Sequence, residues 1–364
     1  MSDRSEAAEQ FVKRLIRPEI QQLSAYHVPE SKGLLKADAM ENPYRWPDEM
    51  KQRWLECLAD VEINRYPDPH AKLVVEGLKK AMNIDPQWEV LLGNGSDEII
   101  QMLAMAVATD GAKILAPEPG FVMYRMVATY MAMEYVSVPL AEDFGLDSEL
   151  MLSAIKEHQP ALIFLAQPNN PTGNLFSWET VEAVIQAAQG LVVLDEAYTA
   201  FTDADSLFLL EKYPNVVVMR TVSKVGLAGL RLGLLVGSKE WIEEIDKLRL
   251  PYNINILTQA SAEFALHNYS LLEQQAANIR QSRTLFYQRL GELKGLKVRP
   301  SETNFLLVTV AAGKGKVVHQ QLKARGILVK CLDGSHPRLA DTLRITVGSD
   351  DDNNRIVAEL SDLI

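Results

Sequence analysis

Cysteine is almost absent from this sequence. Its two cysteines, Cys57 and Cys331, make no CxxC pair and cannot build a disulfide framework. That excludes the small disulfide-stapled scaffolds, and we expect a reducing, cytoplasmic setting. No apolar stretch approaches the roughly 18 residues needed to cross a bilayer, so no membrane partner is expected. The opening residues scatter charge and contain no apolar segment of the kind a signal peptide needs. The six histidines form no HxH or HExxH pair, so no metal site is expected. An excess of basic charge is also missing. Lys and Arg number 37 against 48 Asp and Glu, a net charge of -11. An acidic body repels phosphate backbones, which argues against nucleic acid as a partner. A small anion is not excluded, because a few local cations suffice to hold one.

What remains is ordinary globular composition: 364 residues, 47% hydrophobic and 23% charged. That length suits two domains, and the apolar content is too high for a disordered chain. Neither an internal repeat nor a low-complexity segment is present. Residues 1–69 read as an arm, because Pro18, Pro29, Pro43, Pro47, Pro67 and Pro69 favour extended and turn structure. Only residues 48–60 look helical within it. Residues 70–250 alternate helical segments with short apolar runs at 90–92, 113–116, 135–139, 161–166, 191–194, 216–219 and 232–236. Uniformly apolar strands separated by helices imply a sheet buried on both faces, hence a large α/β domain with a mostly parallel sheet. A long helical region runs from 239 to about 293, which Pro251 must break. Residues 251–364 are expected to form a linking helix and a smaller α+β domain, with strands at 305–308 and 343–347.

In doubly wound sheets, ligands collect at the carboxyl ends of the strands. The first such end is Gly93-Asn94-Gly95-Ser96-Asp97, opening a helix whose free N–H groups make an anion cradle. A dinucleotide fingerprint would place a third glycine where Glu98 stands, although Glu118 supplies an acid after the next strand. A plain tight turn is the simpler alternative. Asp195 ends a fully apolar strand, where a carboxylate needs a cation, hydrogen bonds or a capping role. Tyr198 follows within one helical turn. Lys224 follows Thr221-Val222-Ser223 and precedes a glycine-rich stretch reaching Arg231 and Gly233. A lone lysine is usually solvated, but one with so little charge nearby is suited to a depressed pKa and to imine formation. The TxxK spacing also fits an acylating hydroxyl, but the KTG and SDN companions are missing. Together these ends offer an anion cradle, an aromatic (Phe121), Asn170, Asp195, Tyr198, Ser223, Lys224 and Arg231. Pyridoxal phosphate needs such a set: a phosphate site, a stacking face, a carboxylate for its ring nitrogen, donors for its phenolic oxygen and an imine-forming lysine.

From about Tyr26 to its end the chain resembles the fold-type I pyridoxal-phosphate-dependent aminotransferases. QPNNPTG (167–173), DEAY (195–198) and RTVSKVGLAGLRLG (220–233), in this order, carry the resemblance. DAMENPY (38–44), RYPDP (65–69) and SETNF (301–305) are similar to the narrower histidinol-phosphate aminotransferase family. The resemblance implies pyridoxal 5'-phosphate as cofactor, with Lys224 as Schiff-base lysine and proton carrier. It implies Asp195 at the pyridinium nitrogen, and Asn170 and Tyr198 at the phenolic oxygen. Ser96, Asp97, Ser223 and Arg231 are implied at the phosphate, the first two through backbone N–H. Phe121 is implied stacked on the ring, where the family often has Tyr. Tyr66 is implied to reach the neighbouring subunit's cofactor, hence a homodimer. Arg344 is implied at the α-carboxylate of glutamate, with Tyr26 and Lys330 near the substrate phosphate, Lys330 standing where the family often has Arg. The implied reaction is ping-pong transfer of an amino group from L-glutamate to imidazole-acetol phosphate, giving L-histidinol phosphate and 2-oxoglutarate in histidine biosynthesis. An aromatic or broad-range aminotransferase and a phosphothreonine decarboxylase share the scaffold and remain alternatives.

Overall fold

The computed structural model describes residues 2–25 and 28–364. The described residues form twelve strands, numbered in chain order. They are β1 (Leu35–Ala37), β2 (Glu89–Gly93), β3 (Lys113–Glu118), β4 (Glu134–Pro139), β5 (Leu162–Ala166) and β6 (Leu191–Asp195). They continue as β7 (Val216–Thr221), β8 (Gly233–Gly237), β9 (Lys297–Val298), β10 (Phe305–Thr309), β11 (Ile327–Cys331) and β12 (Thr342–Thr346). Seven of them form one sheet in the order β2-β8-β7-β6-β5-β3-β4. Within it β8 alone runs antiparallel to its neighbours, pairing with β2 on one side and β7 on the other. The other pairs are parallel, and helices intervene between their strands in the chain.

The apolar runs fold as they do because both faces of this sheet are covered. Leu115, Ile163, Val192, Val218 and Leu234 enter a core on one face. Their neighbours Ile114, Leu162, Val193, Val217 and Leu235 enter a second core on the other. Alternation of side chains across a strand sends consecutive residues to opposite faces, so a doubly buried strand has no polar positions to spare.

The second sheet has the order β1-β11-β12-β10-β9. Its inner face joins the helix Tyr269–Gly291 in a third core containing Phe286, Phe305, Ile327 and Ile345. β1 comes from the proline-rich arm and pairs in parallel with β11, so the arm donates a strand to the far end of the chain. The arm also opens with a helix, Ser2–Leu15, where extended structure is the sequence expectation. The first proline is Pro18, and nothing before it interrupts a helix. The long helical region is three helices, Lys239–Asp246, Ile256–His267 and Tyr269–Gly291. Pro251 lies in the first gap, and Asn255 caps the second helix by accepting from the Thr258 backbone N–H. Among the described residues no helix is long and apolar enough to cross a membrane.

Candidate active site

A cavity of about 380 Å³ opens at the carboxyl edge of the large sheet. Ser96, Asp97, Phe121, Asn170, Asp195, Tyr198, Ser223, Lys224 and Arg231 all line it. The parallel strands β2, β3, β5, β6 and β7 deliver their carboxyl ends there. Arg231 arrives from the opposite direction: because β8 is reversed, the residues before it lie at the same edge.

Lys224 stands on a tight turn, Ser223–Leu227, that Gly226 closes with φ 126°. Its Nζ donates to the Ala39 carbonyl at 3.2 Å. Burial, with the Arg344 charge second, lowers its pKa to about 8. Asp195 is 5% exposed at the end of β6. Its Oδ2 accepts from the Tyr124 hydroxyl at 2.6 Å and its Oδ1 from the Ala197 backbone N–H at 3.1 Å. Burial raises its pKa to about 6 against those two hydrogen bonds. Asn170 donates to the Tyr198 hydroxyl at 3.1 Å and accepts from Arg344 Nη1 at 2.7 Å. Burial holds the Tyr198 hydroxyl above its ordinary pKa, so it remains a donor.

The anion cradle is the N-terminus of the helix Ser96–Val107. Gly95 precedes it with φ 85° and ψ 164°, a backbone open only to glycine. A Cβ there would also sit 2.4 Å from Arg231 Nη2. The Arg231 guanidinium lies 3.6 Å from the Asp97 carboxylate. Gly233 is required as well, since its Cβ would meet the Ser96 backbone nitrogen at 2.6 Å. Beneath the turn, the Thr221 hydroxyl accepts from the Ser223 backbone N–H at 3.1 Å and lies 2.9 Å from Ser223 Oγ.

Glu98 and Glu118 are both engaged elsewhere. Glu98 accepts from the Asn94 backbone N–H at 2.6 Å and from Asn253 at 2.9 Å. Glu118 holds Arg125 with both carboxylate oxygens, at 2.8 and 2.9 Å. Neither lines the cavity, so the dinucleotide alternative loses its acid.

Arg344, Lys330 and Tyr66 do not belong to this lining. Arg344, on β12, reaches the cavity wall through Asn170 and also donates to the Asp38 carbonyl at 3.1 Å. Lys330 lies directly opposite Arg344 on β11, and such pairs project to one face of the sheet. Tyr66 is outside its own chain's cavity, 80% exposed and stacked on Tyr252 at 4.4 Å. Tyr26 lies outside the described residues. Among the described residues no cluster suited to a metal ion occurs.

Several contributors were not legible as site residues. Ala39, Met40 and Glu41 line the cavity. Met40 is held by Asn304, whose side chain donates to the Met40 carbonyl at 2.9 Å, and by Thr346. Asn42 donates to the Val225 carbonyl at 2.8 Å, tying the arm to the lysine turn. Glu302 donates its backbone N–H to the Gly173 carbonyl at 2.7 Å. DAMENPY and SETNF thus brace one wall from the smaller sheet. Tyr124 had a signal: it follows Phe121 by three residues, one helical turn.

The chain matches the family described as aminotransferase class I and II over residues 35–360. It is 48% identical over 349 residues to histidinol-phosphate aminotransferase 2 of Nitrosococcus oceani, covering 96% of this chain and 97% of that one. It is equally 48% identical over 347 residues to histidinol-phosphate aminotransferase 1 of Burkholderia mallei, covering 95% and 97%. Among solved structures it is similar to histidinol-phosphate aminotransferase from Sinorhizobium meliloti in complex with pyridoxal-5'-phosphate. That likeness has TM-score 0.83 and 25% identity, covering 96% of this chain and 97% of that one. The L-threonine-O-3-phosphate decarboxylase of Porphyromonas gingivalis shares the fold at TM-score 0.76 and 22% identity, covering 91% and 99%.

Proposed function

The chain belongs to the class I and II aminotransferases, and from that premise we propose that it is a histidinol-phosphate aminotransferase. It transfers the amino group of L-glutamate to imidazole-acetol phosphate, forming L-histidinol phosphate and 2-oxoglutarate, a step of histidine biosynthesis. The observation that carries the reading is the company Lys224 keeps. Its amine, with a pKa lowered to about 8, shares one cavity with a buried carboxylate, an Asn–Tyr pair and an anion cradle.

Those residues fit pyridoxal phosphate. The cradle has free backbone N–H groups, a glycine where a Cβ would collide, and one guanidinium beside it. Asp195, buried and accepting two hydrogen bonds, suits a protonated ring nitrogen. When bound, the cofactor supplies an aldehyde that joins covalently to an amine and a ring that accepts electron density. Ser96 and Asp97 hold the phosphate through backbone N–H groups, with the Ser223 hydroxyl and Arg231. Phe121 covers a face of the ring. Asp195 keeps the proton on the ring nitrogen. Asn170 and Tyr198 hold the phenolic oxygen. Lys224 Nζ, as the neutral amine, would be the base that takes the proton from the substrate carbon and, once protonated, the acid that gives it back.

Arg344 grips the α-carboxylate of glutamate through parallel hydrogen bonds. Lys330 and Tyr26 serve the phosphate of the second substrate. Residues 70–250 form the cofactor-binding domain, residues 251–364 carry Arg344 and Lys330, and the arm, 1–69, carries Tyr26 and Tyr66. Tyr66 completes the site of a second copy, which makes the enzyme a homodimer. Its 80% exposure and its stack on Tyr252, itself exposed, support that assignment. The enzyme works in the cytoplasm, in keeping with its two free cysteines.

Steady-state kinetics with histidinol phosphate against phenylalanine tests the reading. Histidinol phosphate is expected to be the better substrate. Lys330→Ala is expected to lower kcat/KM for histidinol phosphate by about 1.5–3 kcal/mol, the range for a hydrogen bond to a charged group, and to spare the glutamate half-reaction. Arg344→Ala is expected to damage both. Equal turnover of phenylalanine would replace the reading with a broad-range aminotransferase.

A further inference from the structure

Tyr124 is 1% exposed in the helix Val122–Tyr130, directly behind two residues that line the cavity. Its ring lies flat on Phe164, with centroids 4.4 Å apart and planes within 6°. Phe121 meets the same ring edge-on, at 5.5 Å and 87°. Its hydroxyl donates to Asp195 Oδ2 at 2.6 Å. Tyr124 therefore touches both Phe121 and Asp195, the two groups assigned above to the face and the nitrogen of the cofactor ring.

Asp195 has a difficulty that this contact addresses. A carboxylate in a dry site tends to keep a proton for itself. Burial raises its pKa to about 6, and the charges of Asp97 and Glu196 push the same way. The hydrogen bonds from Tyr124 and from the Ala197 backbone oppose that rise. Lys224 and Tyr198 line the same cavity as this carboxylate, and Asp195 helps keep the Tyr198 hydroxyl protonated. Tyr124 is itself buried beside the Asp195 charge, which drives its pKa well above the ordinary value. It is thus a permanent, neutral donor that adds no competing charge.

We infer that Tyr124 is a positioning residue: its hydroxyl holds Asp195 as an oriented carboxylate, so that the proton shared by Asp195 and the cofactor's ring nitrogen stays on the nitrogen, and its ring backs Phe121. The inference rests on the pyridoxal-phosphate reading. A single proton is distributed between the Asp195 carboxylate and the ring nitrogen. Removing the Tyr124 donor makes the carboxylate more basic and moves that proton toward Asp195.

The test is nitrogen-15 NMR of the holoenzyme loaded with ring-labelled pyridoxal phosphate, comparing wild type with Tyr124→Phe at neutral pH. Phe keeps the stack on Phe164 and the edge contact with Phe121. Wild type is expected to give a pyridinium resonance, and the variant a resonance displaced toward neutral pyridine. On dialysis the variant is expected to lose cofactor roughly tenfold faster, about the effect of one lost charge-assisted hydrogen bond. An unmoved resonance with wild-type cofactor retention overturns the inference and leaves the aminotransferase reading intact. A wild-type protein that takes up no pyridoxal phosphate overturns both. In the wild-type holoenzyme the Tyr124 hydroxyl proton is also expected as a low-field resonance protected from exchange. Its absence overturns the inference even where the Phe variant fails to fold.

Discussion

Lys224 reaches the cavity on a five-residue turn, where its amine donates to a backbone carbonyl, that of Ala39. Among the described residues no carboxylate lies within ion-pair distance of its ammonium, while burial and the Arg344 charge disfavour that ammonium and set the pKa at about 8. The reactive form is the neutral amine, so its fraction rises with pH and is half formed near pH 8 rather than near about 10.4, the value of a solvated lysine. We expect the cofactor-free protein to react with a small aldehyde at Lys224 with that midpoint. Arg344→Ala removes the second cause and should move the midpoint upward. Mass-spectrometric labelling across pH reads both, and a midpoint at or above about 10 would return Lys224 to the solvated class. At this scale much was legible. Asp195 directly follows an apolar run and Asn170 and Lys224 follow theirs within about five residues, where the strand ends of a sheet buried on both faces point at one common edge. Glu41 was not legible, because nothing local distinguishes a carboxylate at a cavity mouth from a solvated one.

At the scale of elements, the edge of the large sheet is held by a buried ion pair. Arg220, at the end of β7, donates Nε to Glu196 Oε2 at 2.7 Å, just beyond β6. It also reaches Asp205 at 2.8 Å and the Met82 carbonyl at 3.2 Å. The other oxygen of Glu196 accepts from the Ser206 backbone N–H at 2.6 Å. The side chains are 3% and 0% exposed, so both charges are desolvated and fully engaged. This pair locks together the two strand ends that carry Asp195 and Lys224. Arg220→Ala leaves Glu196 buried without its cation and is expected to cost about 3–5 kcal/mol, read as a lowered urea midpoint. A loss under about 1 kcal/mol would mean that water reaches Glu196 in the folded state. Both residues belong to motifs evident in the sequence, DEAY and RTVSK. Their pairing was not evident, since it depends on β6 and β7 lying side by side, as their register shows.

At the scale of the whole molecule, Tyr66 poses a geometric question, because it is solvent-exposed and does not line its own cavity. If each site borrows Tyr66 from a second copy, two inactive variants complement one another. Mixing Tyr66→Ala with Arg231→Ala subunits yields hybrids with one intact site and one doubly damaged site. Random exchange then restores about a quarter of wild-type activity. No recovery after exchange confirmed by mass spectrometry would mean that each site is built within one chain. The sequence by itself determined the α/β class and the strand-end residues, because burial on both faces leaves a strand uniformly apolar and forces polarity to its ends. It also placed the breaks at Pro251 and the cradle at Gly95, where backbone chemistry is local. Only the tertiary structure decided that β8 runs backward and brings Arg231 to the common edge. The same is true of the arm strand β1, which pairs with β11 almost 300 residues on, and of Tyr124, whose hydroxyl meets Asp195 across 71 residues. Such contacts follow from strand order and register, which are set by how whole faces pack and not by any one segment's composition.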